Sequence, residues 1–343
     1  MARSSTTFKP KWRSGQTTVI RVPEGLADNV LEYAQKLDSH WYPPAQPSLF
    51  GEDVTTPKLR RSKVVNVASV PLRSPFRYPG GKTWLVPYVR QWLESISRPE
   101  IFIEPFAGGA IAGLTVAFED LADHVIIAEI DEYVAAVWQT ILSGQGEWLA
   151  QKILTFDLTL KNVKIALSRD KRKDLTLKEK AFLTILRNRV QRGGIMAPGA
   201  GLVKNGENNR GVGSRWYPET LARRIRDIGR MRHKITFFYG DGFLLFDQFG
   251  TERKAAFFLD PPYTKAAKRL YNNWKFDHCA LFETIKNQKA SFLVTYDNMP
   301  EISRLADEYG LDKRCVRMKN THHARKTELL IGTDFKWFDA IAE

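Results

Sequence analysis

Short apolar runs that alternate with helical patterns constrain this chain more than any other feature of its sequence. IFIE (101–104), VIIAE (125–129), ITFFY (235–239), AFFLD (256–260), FLVTY (292–296) and ELLIG (328–332) are each of strand length and rich in β-branched or aromatic residues. Segments at 110–118, 131–142, 278–288 and 300–309 separate several of them and have helical periodicity. Such alternation predicts an α/β fold, a mostly parallel sheet with helices on both faces. Between 143 and 234 it stops, and helical, Gly-rich and basic sequence takes over, as an insertion between two parts of one sheet would look.

Residues 1–70 read differently. TTVIRV (17–22) has strand character, and Pro23 opens a helical pattern with Leu26, Val30, Leu31, Ala34 and Leu37 on one face. This is similar to half of a ribbon-helix-helix unit, but a Pro-rich stretch, HWYPPAQPSLFGEDVTTP, follows instead of a second helix. The expected organisation is an appendage and linker at 1–70, a catalytic domain in two pieces, 71–142 and 235–343, and an inserted recognition domain at 143–234.

Composition narrows the function classes. No run of eighteen apolar residues is present, so a membrane-spanning helix is not expected, and MARSSTTFKPKWRSGQ lacks the apolar core of a secretory signal. Cys279 and Cys315 are the only cysteines, which excludes a disulfide framework and a cysteine-based zinc site; a cytoplasmic location is expected. From Lys161 to Lys234 there are 20 Lys plus Arg against 6 Asp plus Glu, a surplus of 14 that equals the net charge of the whole chain. These cations are interleaved with Gly, Asn and aromatics, as in RNRVQRGG and NNRGVGSRWYP, a mixture suited to loops that contact nucleic acid.

Several signals fall at strand ends, where open α/β sheets place ligands. Glu104-Pro105-Phe106-Ala107-Gly108-Gly109-Ala110 follows IFIE; its glycines allow close approach of a ligand, or serve only a tight turn. Glu129 lies about 20 residues further on, where a carboxylate can accept from ribose hydroxyls or begin the next helix. Asp260-Pro261-Pro262-Tyr263 follows AFFLD. An Asp carboxylate and a Pro carbonyl that accept from an aromatic amine draw its nitrogen toward sp3 character and free its lone pair for attack on a methyl donor. The Tyr ring can stack on the base. Phe76-Arg77-Tyr78-Pro79-Gly80-Gly81-Lys82-Thr83 ends like a phosphate-binding loop, but has Phe76 in place of the first Gly and no preceding strand.

Together, FRYPGGK, EPFAGG, the acidic strand end and DPPY resemble the D12 class of N6-adenine DNA methyltransferases, the alpha-type DNA adenine methyltransferase family, over about residues 73–335. The resemblance implies a Rossmann-like methyltransferase sheet, S-adenosyl-L-methionine as cofactor, no metal, and double-stranded DNA as partner. It implies transfer of a methyl group to the N6 amine of a flipped adenine. By position it makes Tyr78, Lys82, Phe106, Gly108, Glu129 and Asp241 cofactor contacts, and Asp260, Pro261, Pro262 and Tyr263 the catalytic set. Two departures stand out. Ala110 replaces the last Gly of the family's F-x-G-x-G turn, which a negative φ would tolerate. The insertion also lacks the Asn-Val-Pro-Phe-Gly hairpin associated with GATC recognition, so the recognition sequence stays open.

Within the insertion, Arg187 and Asn188 follow the helical stretch AFLTIL and could read bases, while Arg189, Arg192, Lys204 and Arg215 suit phosphates. Thr321–Lys326 is expected as a loop on the DNA backbone. Gln46, Leu49 and Phe50, in QPSLF, are similar to the sliding-clamp-binding peptide of bacteria; the alternative is that Leu49 and Phe50 pack on the catalytic domain. A monomer is the default. Rival readings are an N4-cytosine or RNA-adenine methyltransferase, and a non-catalytic DNA-binding module on the same fold.

Overall fold

A seven-stranded sheet in the order β3-β2-β1-β4-β5-β7-β6 organises the structure, a computed structural model. It describes residues 70–77, 81–169, 174–196, 200–206, 209–262, 276–319 and 325–342, which belong to one compact unit, Arg61–Glu343. Tyr78, Tyr263, Gln46, Leu49, Phe50, residues 321–324 and the strand and helix expected within 1–69 lie outside the described residues. The strands are β1 (Ile101–Glu104), β2 (His124–Glu129), β3 (Ile235–Tyr239), β4 (Ala255–Leu259), β5 (Ser291–Asp297), β6 (Asp312–Lys319) and β7 (Arg325–Gly332). β1 to β5 pair in parallel; β7 runs antiparallel between β5 and β6.

The six apolar runs are all strands, and β6 is an additional one. Its sequence, DKRCVRMK, is charged and lacks an apolar run because it is the sheet's edge, where charge discourages pairing with another chain. Strand residues alternate between two cores. Phe102, Val125, Ile127, Ala256, Phe258 and Leu330 enter one; Ile103, Ile126, Phe257, Leu259, Val294 and Ile331 enter the other. The second core is closed by α8 (Leu244–Phe249), α9 (His278–Lys286) and α10 (Pro300–Glu308).

The first core is closed by α1 (Val86–Ser95), α2 (Ile111–Phe118), α3 (Glu132–Thr140) and the insertion. The insertion contributes α4 (Gly146–Thr155), α5 (Leu160–Ser168), α6 (Leu177–Val190) and α7 (Pro218–Arg230). Leu149, Ile153, Leu186 and Ile225 on these helices join the same core as the sheet, so the insertion is fused to the catalytic fold by packing. A last helix, α11 (Lys336–Ala342), follows β7. Among the described residues no helix is long and apolar enough to cross a membrane.

The order reverses between β1 and β4: the chain builds outward to β2 and β3 on one side and to β5 on the other. The turns leaving these strands therefore diverge and leave a crevice at their carboxyl ends. One close contact beside it fixes α2. The Gly113 N–H donates to Glu104 Oε2 at 2.7 Å, and a methyl on Gly113 would lie 2.8 Å from that oxygen and 2.9 Å from Ile127 Cγ2. Alanine is the better helix former by about 1 kcal/mol, but the clash is buried on both sides. Gly113→Ala is expected to cost about 1–3 kcal/mol, seen as a lower urea midpoint at unchanged slope; a midpoint at or above wild type would mean that Glu104 and Ile127 yield.

Candidate active site

The crevice is a cavity of about 780 Å³. Its lining includes the turn after β1, the end of β2, Asp241 after β3, and Asp260 and Pro262 after β4. The β1 turn is held by its neighbour strand. Ala107 N–H donates to the Ala128 carbonyl at 2.9 Å, Gly108 N–H donates to Glu129 Oε2 at 3.0 Å, and the fully buried Trp138 indole donates to the Gly108 carbonyl at 2.9 Å. Gly108 has φ 46° and Ala110 φ 49°. The φ at Ala110 is thus not the negative value that would tolerate its methyl: the left-handed conformation strains any residue with a Cβ, by roughly 1–2 kcal/mol, which explains a glycine preference at this turn.

Glu129 has more than one task. Besides Gly108, the N–H groups of Ile130 and Asp131 donate to its Oε1, each at 2.9 Å. Three of about four acceptor positions on a carboxylate are thus occupied by backbone, leaving room for about one further donor. Burial pushes its pKa up to about 7 against the pull of these donors. Asp241 is exposed at the mouth, with Oδ1 accepting from Phe243 N at 3.0 Å. The Phe106 ring meets Phe276 and Phe243 edge-on, with centroids 5.2 and 6.1 Å away.

Asp260 sits in a second cluster. Lys82, buried at 5% exposure, places its ammonium 2.6 Å from Glu328 Oε2 and 3.4 Å from Asp260 Oδ1. The Thr295 hydroxyl donates to the same Oδ1 at 3.3 Å. Sheet order makes this row, since Asp260 leaves β4, Thr295 is on β5 and Glu328 on β7, opposite Asp297. Burial raises the pKa of Asp260, and Lys82 pulls it back; the same pair of effects brings Glu328 to about 7. Lys82, which the resemblance made a cofactor contact, lines the cavity but has its ammonium engaged by these carboxylates. Glu328 and the buried Glu104 were not among the expected site residues; a glutamate heading an otherwise apolar run, or closing one, was their sequence signal.

The insertion residues divide sharply. α6 continues through Val190, so Arg187 and Asn188 lie in its last turn instead of opening a loop. Asn188 is fully buried: its Oδ1 accepts from Arg77 N at 2.8 Å, and its Nδ2 donates to the Arg77 and Gly194 carbonyls at 2.9 and 3.0 Å. The base contact expected of Asn188 is corrected to a backbone clamp. The reason is register, because Ala181, Ile185 and Asn188 share one buried face. The clamp also needs Gly194, whose Cβ would lie 2.2 Å from the Arg77 carbonyl oxygen. Arg189 is buried and donates to the Pro75 carbonyl, so a surface phosphate contact is corrected there too. Arg187 is half-buried over the Tyr133 ring at 5.4 Å. Arg192 and Lys204 are exposed, and Arg215 lines the cavity.

The cavity thus joins a Gly-containing turn, a carboxylate at the neighbouring strand end and a carboxylate beside Pro carbonyls. The sequence matches the family described as D12 class N6 adenine-specific DNA methyltransferase over residues 78–320, more than two thirds of the chain. The chain belongs to this family. It is an S-adenosylmethionine-dependent methyltransferase acting on the N6 amine of adenine in DNA, on a Rossmann-like methyltransferase fold. No curated protein matches the sequence. Among solved structures it is similar to a putative RNA methyltransferase from Pyrococcus horikoshii, at 12% identity over 75% of this chain and 84% of the other, with a TM-score of 0.33. An rRNA methylase from Streptococcus thermophilus aligns at 10% identity over 72% of this chain and 94% of the other, with a TM-score of 0.31. Likenesses of that size decide neither fold nor substrate.

The cofactor fits the acceptors present: half-buried and exposed carboxylates facing one cavity suit a ligand that carries a sulfonium and an ammonium. Glu104 gives the site a pH signature. Burial lifts its pKa to about 8 from an ordinary 4.5, against the Gly113 N–H. The folded protein therefore holds this proton more tightly than the unfolded chain. The stabilisation is complete below pH 4.5 and is lost as pH rises to 8. Glu104→Gln cannot ionise, so its melting temperature minus that of wild type is expected to grow from pH 5 to pH 8.5 and then level. Parallel melting curves across that range would show that Glu104 does not titrate there.

Proposed function

We propose that Asp260 and the Pro261 carbonyl hold the N6 amine of an adenine flipped out of the duplex, with Pro262 fixing the turn and Tyr263 stacking on the base. The observation that carries this reading is that Asp260, Gly108 and Glu129 border one cavity at the switch point of the sheet. Thr295 and Lys82 both address Asp260 Oδ1, which leaves Oδ2 to accept from the amine. Lys82, tied to Glu328, restrains the carboxylate so that its lone pairs point one way as the nitrogen becomes tetrahedral. The amine proton can pass to Asp260 after attack, so no strong base is needed. When bound, S-adenosylmethionine supplies the methyl group, activated by its sulfonium. Tyr78, Phe106, Gly108, Glu129 and Asp241 would hold it, with Glu129 accepting one ribose hydroxyl. Arg192, just inside the Gln191–Leu202 bridge, and Lys204, just beyond it, are both exposed and would contact DNA phosphates. We assign the protein to the cytoplasm, as a monomer, with 143–234 as its recognition segment.

These roles are tested by expressing the protein in a host without adenine methylation and reading its DNA by modification-sensitive single-molecule sequencing. Wild type is expected to leave N6-methyladenine at one recurrent motif, and Asp260→Ala to leave none. Undiminished methylation by Asp260→Ala would remove Asp260 from the reaction.

We further propose that QPSLF docks through Gln46, Leu49 and Phe50 on the sliding clamp. The support is its composition, a polar residue and two apolar anchors in a Pro-flanked stretch. Purified clamp should retain the full-length protein and release the Leu49→Ala/Phe50→Ala double variant; failure to retain wild type would end this proposal.

A further inference from the structure

Lys82 presents one ammonium to two carboxylates and does not stand midway between them. Its Nζ is 2.6 Å from Glu328 Oε2 and 3.4 Å from Asp260 Oδ1. Lys82 and Asp260 line the cavity; Glu328, only 4% exposed, is not part of that lining. Register sets the place of Glu328. It pairs with Asp297 across β7 and β5, and Leu330 pairs with Thr295, whose hydroxyl meets Asp260. Alternation puts Thr295 and Asp297 on one face of β5, and a slip of one residue in β7 would turn Glu328 to the opposite face. Glu104 and Tyr296 also interact electrostatically with Asp260, and Asp297 with Glu328; all three are acids.

The unequal sharing has a chemical consequence. Without a cation, a carboxylate buried at Asp260 would take up a proton and become a poor acceptor for an amine. With an ammonium to itself it would stay ionised, but its lone pairs would be committed to that ammonium. Basicity is what lets a carboxylate polarise an aromatic amine and receive its proton. Glu328 prevents the second case in two ways. It draws the ammonium 0.8 Å nearer to itself than to Asp260 (3.4 against 2.6 Å), and it sets a negative charge beside Asp260. The two carboxyls are close enough in proton affinity to titrate together: burial raises both against the pull of Lys82, and Glu328 reaches about 7.

We propose that Glu328 is a positioning residue for methyl transfer: by taking the nearer share of the Lys82 ammonium, it keeps Asp260 a strong acceptor for the amine of the target base. The proposal rests on the reading of Asp260 as that acceptor. As the N6 lone pair bonds to the methyl carbon and the C–S pair returns to sulfur, the nitrogen becomes positive and sheds a proton, which Asp260 receives. Glu328 stands outside the cavity lining and acts through Lys82. A Glu328 present only to neutralise a buried lysine would leave the basicity of Asp260 unchanged.

The test uses the full-length protein, genomic DNA from a host without adenine methylation and isotopically labelled cofactor. The single-turnover transfer rate is followed from about pH 5.5 to about pH 9. Wild type is expected to lose rate as pH falls, along a limb that belongs to the coupled Asp260–Glu328 pair. Glu328→Gln removes the competing charge, so Lys82 settles on Asp260. The limb should move down by about one pH unit and the plateau rate fall about tenfold, with calorimetric affinity for S-adenosylmethionine unchanged. Glu328→Asp, which keeps the charge on a shorter stem, should lie between the two and carries the test if the Gln variant does not fold. In a Lys82→Met background, Glu328→Gln should add nothing to the loss, because Glu328 acts through Lys82. A limb that stays at its wild-type pH in both Glu328 variants, or moves up, would overturn the proposal, and so would additive losses in the double variant. A wild type that transfers no methyl group, or an Asp260→Ala variant that transfers it undiminished, would instead count against the reading of the site.

Discussion

A carboxylate taken out of water costs several kcal/mol unless a cation, N–H donors or a proton replaces the water. This protein places Glu104, Glu129, Asp260 and Glu328 along the sheet edge where the parallel strands end, Glu328 opposite the last residue of β5, and each is satisfied in its own way. Glu129 receives three backbone N–H groups, which at the same time fix the Gly turn. Glu104 receives the Gly113 N–H and keeps its proton to about pH 8. Glu328 and Asp260 share Lys82. The absence of a side chain at Gly113 and the seat of Lys82 both follow from this need.

The same constraint explains why the insertion is packed against the sheet instead of being tethered to it. Lys82 reaches its carboxylates only if the segment before it is held in place. Asn188 and Gly194 do that by enclosing the peptide of Arg77, more than 100 residues away in sequence. The insertion and the sheet are thereby joined by hydrogen bonds from the Asn188 side chain to the Arg77 backbone and by a common core.

Much of the fold was legible because its signals are local. Strand residues buried on both faces must be apolar, so the runs at 101–104, 125–129, 256–260, 292–296 and 328–332 identified themselves, while 235–239, at one edge and only partly buried, showed itself by β-branched and aromatic content. β6 did not, because an edge strand is free to be charged. In the insertion, residue type misled: Asn188 has the chemistry of a base reader, but helical register carries it into the core with Ala181 and Ile185. At Ala110 the sequence left the sign of φ open, since that sign belongs to the turn and not to the residue.

By itself the sequence determined the alternation of strands and helices, the motifs at the ends of β1, β2 and β4, and the concentration of positive charge in 161–234. These are set by composition and spacing along the chain. Tertiary structure alone decided which charges meet. Lys82 and Glu328 are 246 residues apart, and their contact exists because β7 inserts beside β5. The Asn188 clamp on Arg77 likewise joins residues 111 positions apart. Electrostatics acts through space, and only the folded chain sets those distances.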